Sequence, residues 1–164
     1  MIGQNTLVFS IFATSLSALA LNLPVARSPP YPYGQHITAG SDSNKCLEIP
    51  NADYANGTPV EIHDCGPASN QFWFIQPGET KVQVAGTNFC LDAGSSPQSG
   101  VGLKIWQCYD NLPAQDWYLT ADNRIALTNQ GQCVDLTNGN STNGVQVQTW
   151  QCTDNNNNQV WIVQ

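Results

Sequence analysis

Gln159-Val160-Trp161 is the third copy of a tripeptide that occurs earlier as Gln71-Phe72-Trp73 and Gln115-Asp116-Trp117. The three indoles are spaced 44 and 44 residues apart. Working outward, Cys46, Cys90 and Cys133 are spaced 44 and 43, and Cys65, Cys108 and Cys152 are spaced 43 and 44. From His36 to Gln164 there are 129 residues, three units of 43. Such a period takes precedence over local propensity, because a repeated supersecondary unit buries its apolar face against its own copies. Each unit opens with a Cys-apolar-acid step: Cys46-Leu47-Glu48, Cys90-Leu91-Asp92 and Cys133-Val134-Asp135. A second Cys follows 19, 18 or 19 residues later, and then Gln-x-Trp.

Periods near this length also occur in propellers and helical arrays. Helical arrays fail on composition, since the units are rich in Gly, Asn and Thr and carry no 3.6-residue apolar stripe. Propellers need about four blades or more. Three units must close on themselves in another way. Within the third unit, short strands are expected near 124–127, 132–136, 145–151 and 160–163, with Asn143-Gly144 as a turn signal before the third. Four strands in each of three units make an all-β fold of twelve.

The chain has 164 residues, enough for one domain. Lys and Arg number 5, Asp and Glu 12, and the net charge is −7. DNA, RNA, heparin and anionic lipid are therefore poor partners, because each attracts basic surfaces. Solubility comes instead from 17 Asn and 15 Gln. Five Trp, five Tyr and five Phe supply enough apolar area to offset chain entropy.

Leu7 to Leu21 is an apolar stretch broken only by Ser and Thr, and it contains Ala18-Leu19-Ala20, a small-x-small cleavage pattern. Residues 1–20 are read as a secretory signal peptide, which makes the protein secreted and extracellular. A membrane anchor fits less well. The stretch is short of the roughly 20 residues a spanning helix needs, and Ser10, Thr14, Ser15 and Ser17 weaken it. Residues 21–35 hold Leu-Pro, Ser-Pro-Pro and Tyr-Pro-Tyr-Gly, a lead-in or propeptide outside the core. The repeat domain is assigned to residues 36–164.

Six cysteines permit fifteen full pairings. Three equivalent units make the repeated local pairing the most economical: Cys46 with Cys65, Cys90 with Cys108, and Cys133 with Cys152. Each bridge closes a loop of some twenty residues and contributes roughly 3 kcal/mol in the chain-entropy model. Zinc spacings are absent and symmetry leaves no thiol over, so neither a metal nor a cofactor is expected.

Three Gln-x-Trp repeats, each preceded by a Cys pair whose first member opens a Cys-apolar-acid step, resemble the ricin B-type lectins. The resemblance covers residues 36–164. It implies a β-trefoil, twelve strands in three lobes forming a short barrel closed by hairpins. It also implies binding of carbohydrate, commonly galactose or N-acetylgalactosamine, at one shallow pocket per lobe. Glycans or glycoproteins are then the partners.

A neutral sugar presents hydroxyls and one face of C–H groups. Its recognition takes an aromatic plate for the face, a carboxylate for vicinal hydroxyls, and amides that donate and accept. The third lobe matches the family positions throughout: Asp135 as the acid, Gln148 as the strand amide, Trp150 as the plate, and Asn158 as the hydroxyl-binding Asn. Gln159 is expected to hold the acid. The second lobe keeps Asp92 and Trp106, but Lys104 replaces the amide and Ala114 the Asn, which predicts a weak or empty pocket. In the first lobe, Glu48 replaces the acid, Glu61 the amide and His63 the plate, while Asn70 is kept, and this site is also predicted to be weak. Taken singly, Asp135 also suits a strand-end acid, Trp150 a surface aromatic, and Asn158 a member of the run 155–158. Trp73, Trp117 and Trp161 recur with apolar neighbours and belong to the core.

Other functions have less support. His36 and His63 match no triad or metal arrangement. Glu48 and Glu61 are the one carboxylate pair a glycosidase would need, and their spacing is not diagnostic. The chain is read as no enzyme. A β-trefoil protease inhibitor, or a module binding protein rather than sugar, is the alternative. Asn56-Gly57-Thr58 and Asn140-Ser141-Thr142 are glycosylation sequons, and a glycan on Asn140 would crowd the third-lobe pocket.

Overall fold

The computed structural model describes residues 33–164, so residues 1–32, where a signal peptide and most of a Pro-rich lead-in are expected, lie outside the described residues. Fifteen short strands and five single 3-10 turns follow one another, with no α-helix among the described residues. The first lobe contains β1 (Ile37–Ala39), β2 (Asp42–Glu48), β3 (Glu61–Asp64) and β4 (Trp73–Phe74). The second contains β5 (Gly78–Thr80), β6 (Gln83–Val84), β7 (Phe89–Asp92), β8 (Val101–Gly102), β9 (Lys104–Gln107) and β10 (Trp117–Leu119). The third contains β11 (Ile125–Leu127), β12 (Gln132–Asp135), β13 (Val145–Gln146), β14 (Gln148–Gln151) and β15 (Trp161–Val163). This is a β-trefoil.

The count exceeds twelve for two reasons. β5 is an extra short strand beside β10, joined through the bridge of Pro77 to Leu119. The third strand of lobes two and three is also interrupted by one residue, at Leu103 and Val147. The interruptions come from the three-fold axis. Val60 N–H donates to the Leu103 carbonyl at 3.1 Å, Leu103 N–H to the Val147 carbonyl at 2.9 Å, and Val147 N–H to the Val60 carbonyl at 3.0 Å. Each of these residues turns from its own hairpin to the next lobe and closes a ring. All three side chains are fully buried.

The barrel closes where β1 pairs antiparallel with β15, with Ile37 opposite Val163. Ahead of this ladder, Gln35 forms an isolated antiparallel bridge to Trp73. Strand alternation explains the core. In β12, Cys133, Val134 and Asp135 are all buried, but Val134 points to the barrel axis while Asp135 lies under the outer face. Trp73, Trp117 and Trp161 are fully buried, and each indole N–H donates to a carbonyl: Leu47 at 3.1 Å, Leu91 at 3.0 Å and Val134 at 2.9 Å. Each Trp therefore fills the core and ties its own lobe's fourth strand to its second. The three disulfides join Cys46 to Cys65, Cys90 to Cys108 and Cys133 to Cys152, as the repeat suggested.

Candidate functional site

In the third lobe β12 and β14 run antiparallel with Asp135 opposite Gln148 and Cys133 opposite Trp150. Directly opposed residues share a face, and so do residues two apart on one strand. Asp135, Gln148 and Trp150 therefore stand together on the outer face. Gln148 Nε2 donates to Asp135 Oδ1 at 3.0 Å, and Gln159 Nε2 donates to Asp135 Oδ2 at 3.3 Å. Gln159 is fixed in turn, because its Nε2 also donates to the Gln151 carbonyl at 3.0 Å and its Oε1 accepts from Thr153 N–H at 2.9 Å. It holds the acid, as expected, and also closes the loop behind the site.

Asp135 is 3% exposed, whereas Trp150 is 43% exposed. Burial pushes the Asp135 carboxyl above its ordinary value, and the amides of Gln148, Gln159 and Asn156 pull it back. Asn156 was not picked out in the sequence. Its Nδ2 lies 3.4 Å from Asp135 Oδ2, and its Oδ1 accepts from Asn158 N–H at 3.1 Å, capping the 3-10 turn Asn157–Gln159. A repeat alignment contains the signal, since Ala68 and Leu112 occupy this position in the other lobes. Asn158 is placed by its backbone, whose carbonyl accepts from Leu136 N–H at 2.8 Å. Its side-chain amide makes no hydrogen bond among the described residues. Gly139 makes room for it: with φ at +64°, a Cβ there would sit 3.0 Å from Asn158 Oδ1.

The second lobe has the same frame with different chemistry. Asp92 faces Lys104 and Cys90 faces Trp106. Asp92 Oδ1 accepts from Gly94 N–H at 2.7 Å and Oδ2 from Gln115 Nε2 at 3.0 Å. Lys104 Nζ stands 3.7 Å from Asp92 Oδ1, near but not bonded. Trp106 and Lys104, with Leu112 and Ala114, line a cleft of about 380 Å³.

In the first lobe Glu48 faces Glu61 and Cys46 faces His63. Glu61 is pushed up by burial and by the Glu48 charge, and pulled down by His63. Gln71 Nε2 holds Glu48 Oε2 at 2.5 Å, and His63 Nδ1 lies 3.7 Å from the same oxygen. Asn70 is turned inward: its Nδ2 donates to the Ile49 carbonyl at 2.8 Å and it is 8% exposed. Glu48 and His63 thus occupy the frame positions of Asp135 and Trp150, with an imidazole where the third lobe has an indole, while the Asn70 amide is turned into the fold.

The strand beside each of these positions is braced from the preceding lobe. Asn56 Oδ1 accepts from Gln107 N–H at 2.7 Å, Ser99 Oγ from Gln151 N–H at 2.9 Å, and Asn143 Oδ1 from Asp64 N–H at 3.0 Å. These amides directly follow Trp106, Trp150 and His63. The glycine after each brace donates to the strand two residues before that amide, Gly57 to Ile105, Gly100 to Thr149 and Gly144 to Ile62, each at 2.9 Å.

A model of the ricin-type β-trefoil lectin domain matches residues 35–161. The chain belongs to this family. Among curated proteins, the ribosome-inactivating protein SNAI' of Sambucus nigra is 31% identical over 93 residues, which are 56% of this chain and 15% of that protein. The chain thus spans a small part of that relative's length. Among solved structures, the designed three-fold symmetric protein ThreeFoil is similar at a TM-score of 0.70 and 21% identity, covering 79% of this chain and 96% of that one. The C-half of the earthworm R-type lectin, solved with GalNAc, is similar at 0.65 and 22%, covering 79% and 96%. At these identities the likeness establishes the fold, and the ricin-type lectin assignment rests on the family model.

Proposed function

We propose that the protein is a secreted lectin that binds a neutral sugar of the galactose or N-acetylgalactosamine type through its third lobe, and that it performs no catalysis. The observation carrying this reading is the face shared by Asp135, Gln148 and Trp150. The exposed indole offers a plate for the C–H face of a pyranose ring. Asp135 accepts from vicinal hydroxyls with the lone pairs its three amide donors leave. Asn158, unengaged, donates to one hydroxyl and accepts from another. The rigid support of Gln159 and Asn156 means little is reorganised on binding, which preserves affinity. The GalNAc in the earthworm lectin's complex supports this sugar class.

A monosaccharide in an open, wet site binds near the millimolar range, about −4 kcal/mol. Useful avidity then comes from extended glycans or from oligomers. Asn140 is exposed and its Oδ1 accepts from Thr142 N–H at 3.0 Å, which leaves the amide nitrogen available for a glycan at the pocket rim. A glycan array on the mature protein, repeated with Trp150→Ala, tests the reading. Galactosides should bind the native protein and lose at least about tenfold in the variant. An array blank for neutral sugars, or one unchanged by Trp150→Ala, would overturn it.

A further inference from the structure

We infer that the second-lobe cleft is a separate site whose ligand is a sugar bearing a carboxylate. This goes beyond the third-lobe reading and uses different residues. Four cationic side chains lie among the described residues. Lys45 bonds Asp64 at 2.6 Å, Arg124 sits between Asp122 at 2.7 Å and Asp154 at 3.2 Å, and Lys81 donates to the Tyr109 carbonyl. Lys104 alone makes no hydrogen bond among the described residues, and it lines the Trp106 cleft.

The donors and acceptors of the two lobes are reversed. The third lobe offers a carboxylate and the unengaged amide of Asn158, which suit hydroxyls that donate and accept. In the second lobe Asp92 is buried like Asp135, with Gly94 N–H and Gln115 on its two oxygens, but the residue facing it is the cation Lys104 and not an amide. Leu112 and Ala114 stand where Asn156 and Asn158 stand in the third lobe. A neutral sugar would find no amide for its hydroxyls. A sugar carboxylate needs donors only, and the ammonium of Lys104 supplies them in charge-assisted form. Trp106, 36% exposed, takes the C–H face, and Leu112 adds an apolar wall. Asp92 sits 3.7 Å from Lys104 Nζ and keeps the ammonium oriented without capping its hydrogens. Recognition is by contact, since the net charge of −7 gives no long-range attraction for an anion.

The test uses the full mature chain carrying Trp150→Ala, so that the third lobe is silent. Nuclear magnetic resonance follows the Trp106 indole N–H while methyl glucuronide or methyl glucoside is added, two sugars that differ in a carboxylate against a hydroxymethyl. The glucuronide should shift Trp106 and saturate in the millimolar range, with the glucoside weaker by about tenfold. Lys104→Gln should remove the difference, and Gln148 shows that an amide fits opposite a buried acid in this register. Lys104→Arg should retain it. Equal responses to the two sugars, a glucuronide response unchanged in Lys104→Gln, or acetate alone reproducing the full Trp106 shift would each overturn the inference. Because the third lobe is disabled, none of these outcomes bears on galactoside binding at Trp150.

Discussion

At the scale of single residues, Asp135 should set the pH dependence of the proposed site. Its carboxyl is raised above the ordinary 3.8 by burial, with three amides opposing. A raised carboxyl contributes to folding stability in full below its unfolded value, and that contribution is lost as pH rises through the folded value. Sugar hydroxyls donate to the ionised form and so favour the opposite state. Galactoside affinity should therefore fall on acidification at a pH above the usual Asp range, and binding should release protons there. Calorimetry in buffers of different ionisation heat measures both, and affinity that stays flat down to the ordinary Asp value would contradict the assignment. Asn156→Ala removes a donor to Asp135 and the cap on the 3-10 turn that presents Asn158. It should weaken galactoside binding several-fold, consistent with a net hydrogen bond of about 1 kcal/mol, while the melting temperature changes by only a few degrees. Unchanged affinity in that variant would show that Asn156 is a bystander.

At the scale of elements, the strand pattern made the placement of much of the candidate site legible. Asp135, Gln148 and Trp150 were recoverable because pleat alternation and the 43-residue repeat decide which residues share a face. Trp73, Trp117 and Trp161 were recoverable as core for the same reason. The chemistry that depends on turns was not. Asn70 and Asn158 are the same residue at the same repeat position, yet one donates to the Ile49 carbonyl and the other is unengaged. Residue type does not determine that rotamer. The interruptions at Leu103 and Val147 were hidden too, because backbone pairing between lobes leaves no side-chain signature. The braces also come from outside the lobe they serve. Ser99 of the second lobe holds Gln151, next to the third-lobe plate. Ser99→Ala should lower galactoside affinity severalfold by loosening Trp150. Ser99→Asn should restore it, because Asn56 and Asn143 make the same contact in the other two lobes. If the Asn variant binds as poorly as the Ala variant, Ser99 acts through general stability and not through the plate.

At the scale of the whole molecule, three-fold repetition separates what supports the fold from what varies. The Gln of each Gln-x-Trp holds its lobe's acid, and each indole ties its lobe's strands, in all three copies. The residue facing the acid differs each time: Glu61 repels Glu48, Lys104 attracts Asp92, and Gln148 bonds Asp135. One scaffold thereby carries three electrostatic environments without altering its frame. The same closure makes the lobes interdependent. Val60, Leu103 and Val147 form a ring in which each lobe supplies one donor and one acceptor, so no lobe can open without leaving buried groups unpaired in its neighbours. Their three amides should exchange with solvent only through global unfolding, with equal protection. Leu103→Ala leaves the backbone bonds but opens a cavity costing about 2–5 kcal/mol. Protection against hydrogen exchange should then fall by the same amount at all three amides, although two of them lie outside the mutated lobe. Loss confined to Leu103 would mean that the lobes unfold separately, and that the ring is a point of contact rather than the element that makes the trefoil one cooperative unit.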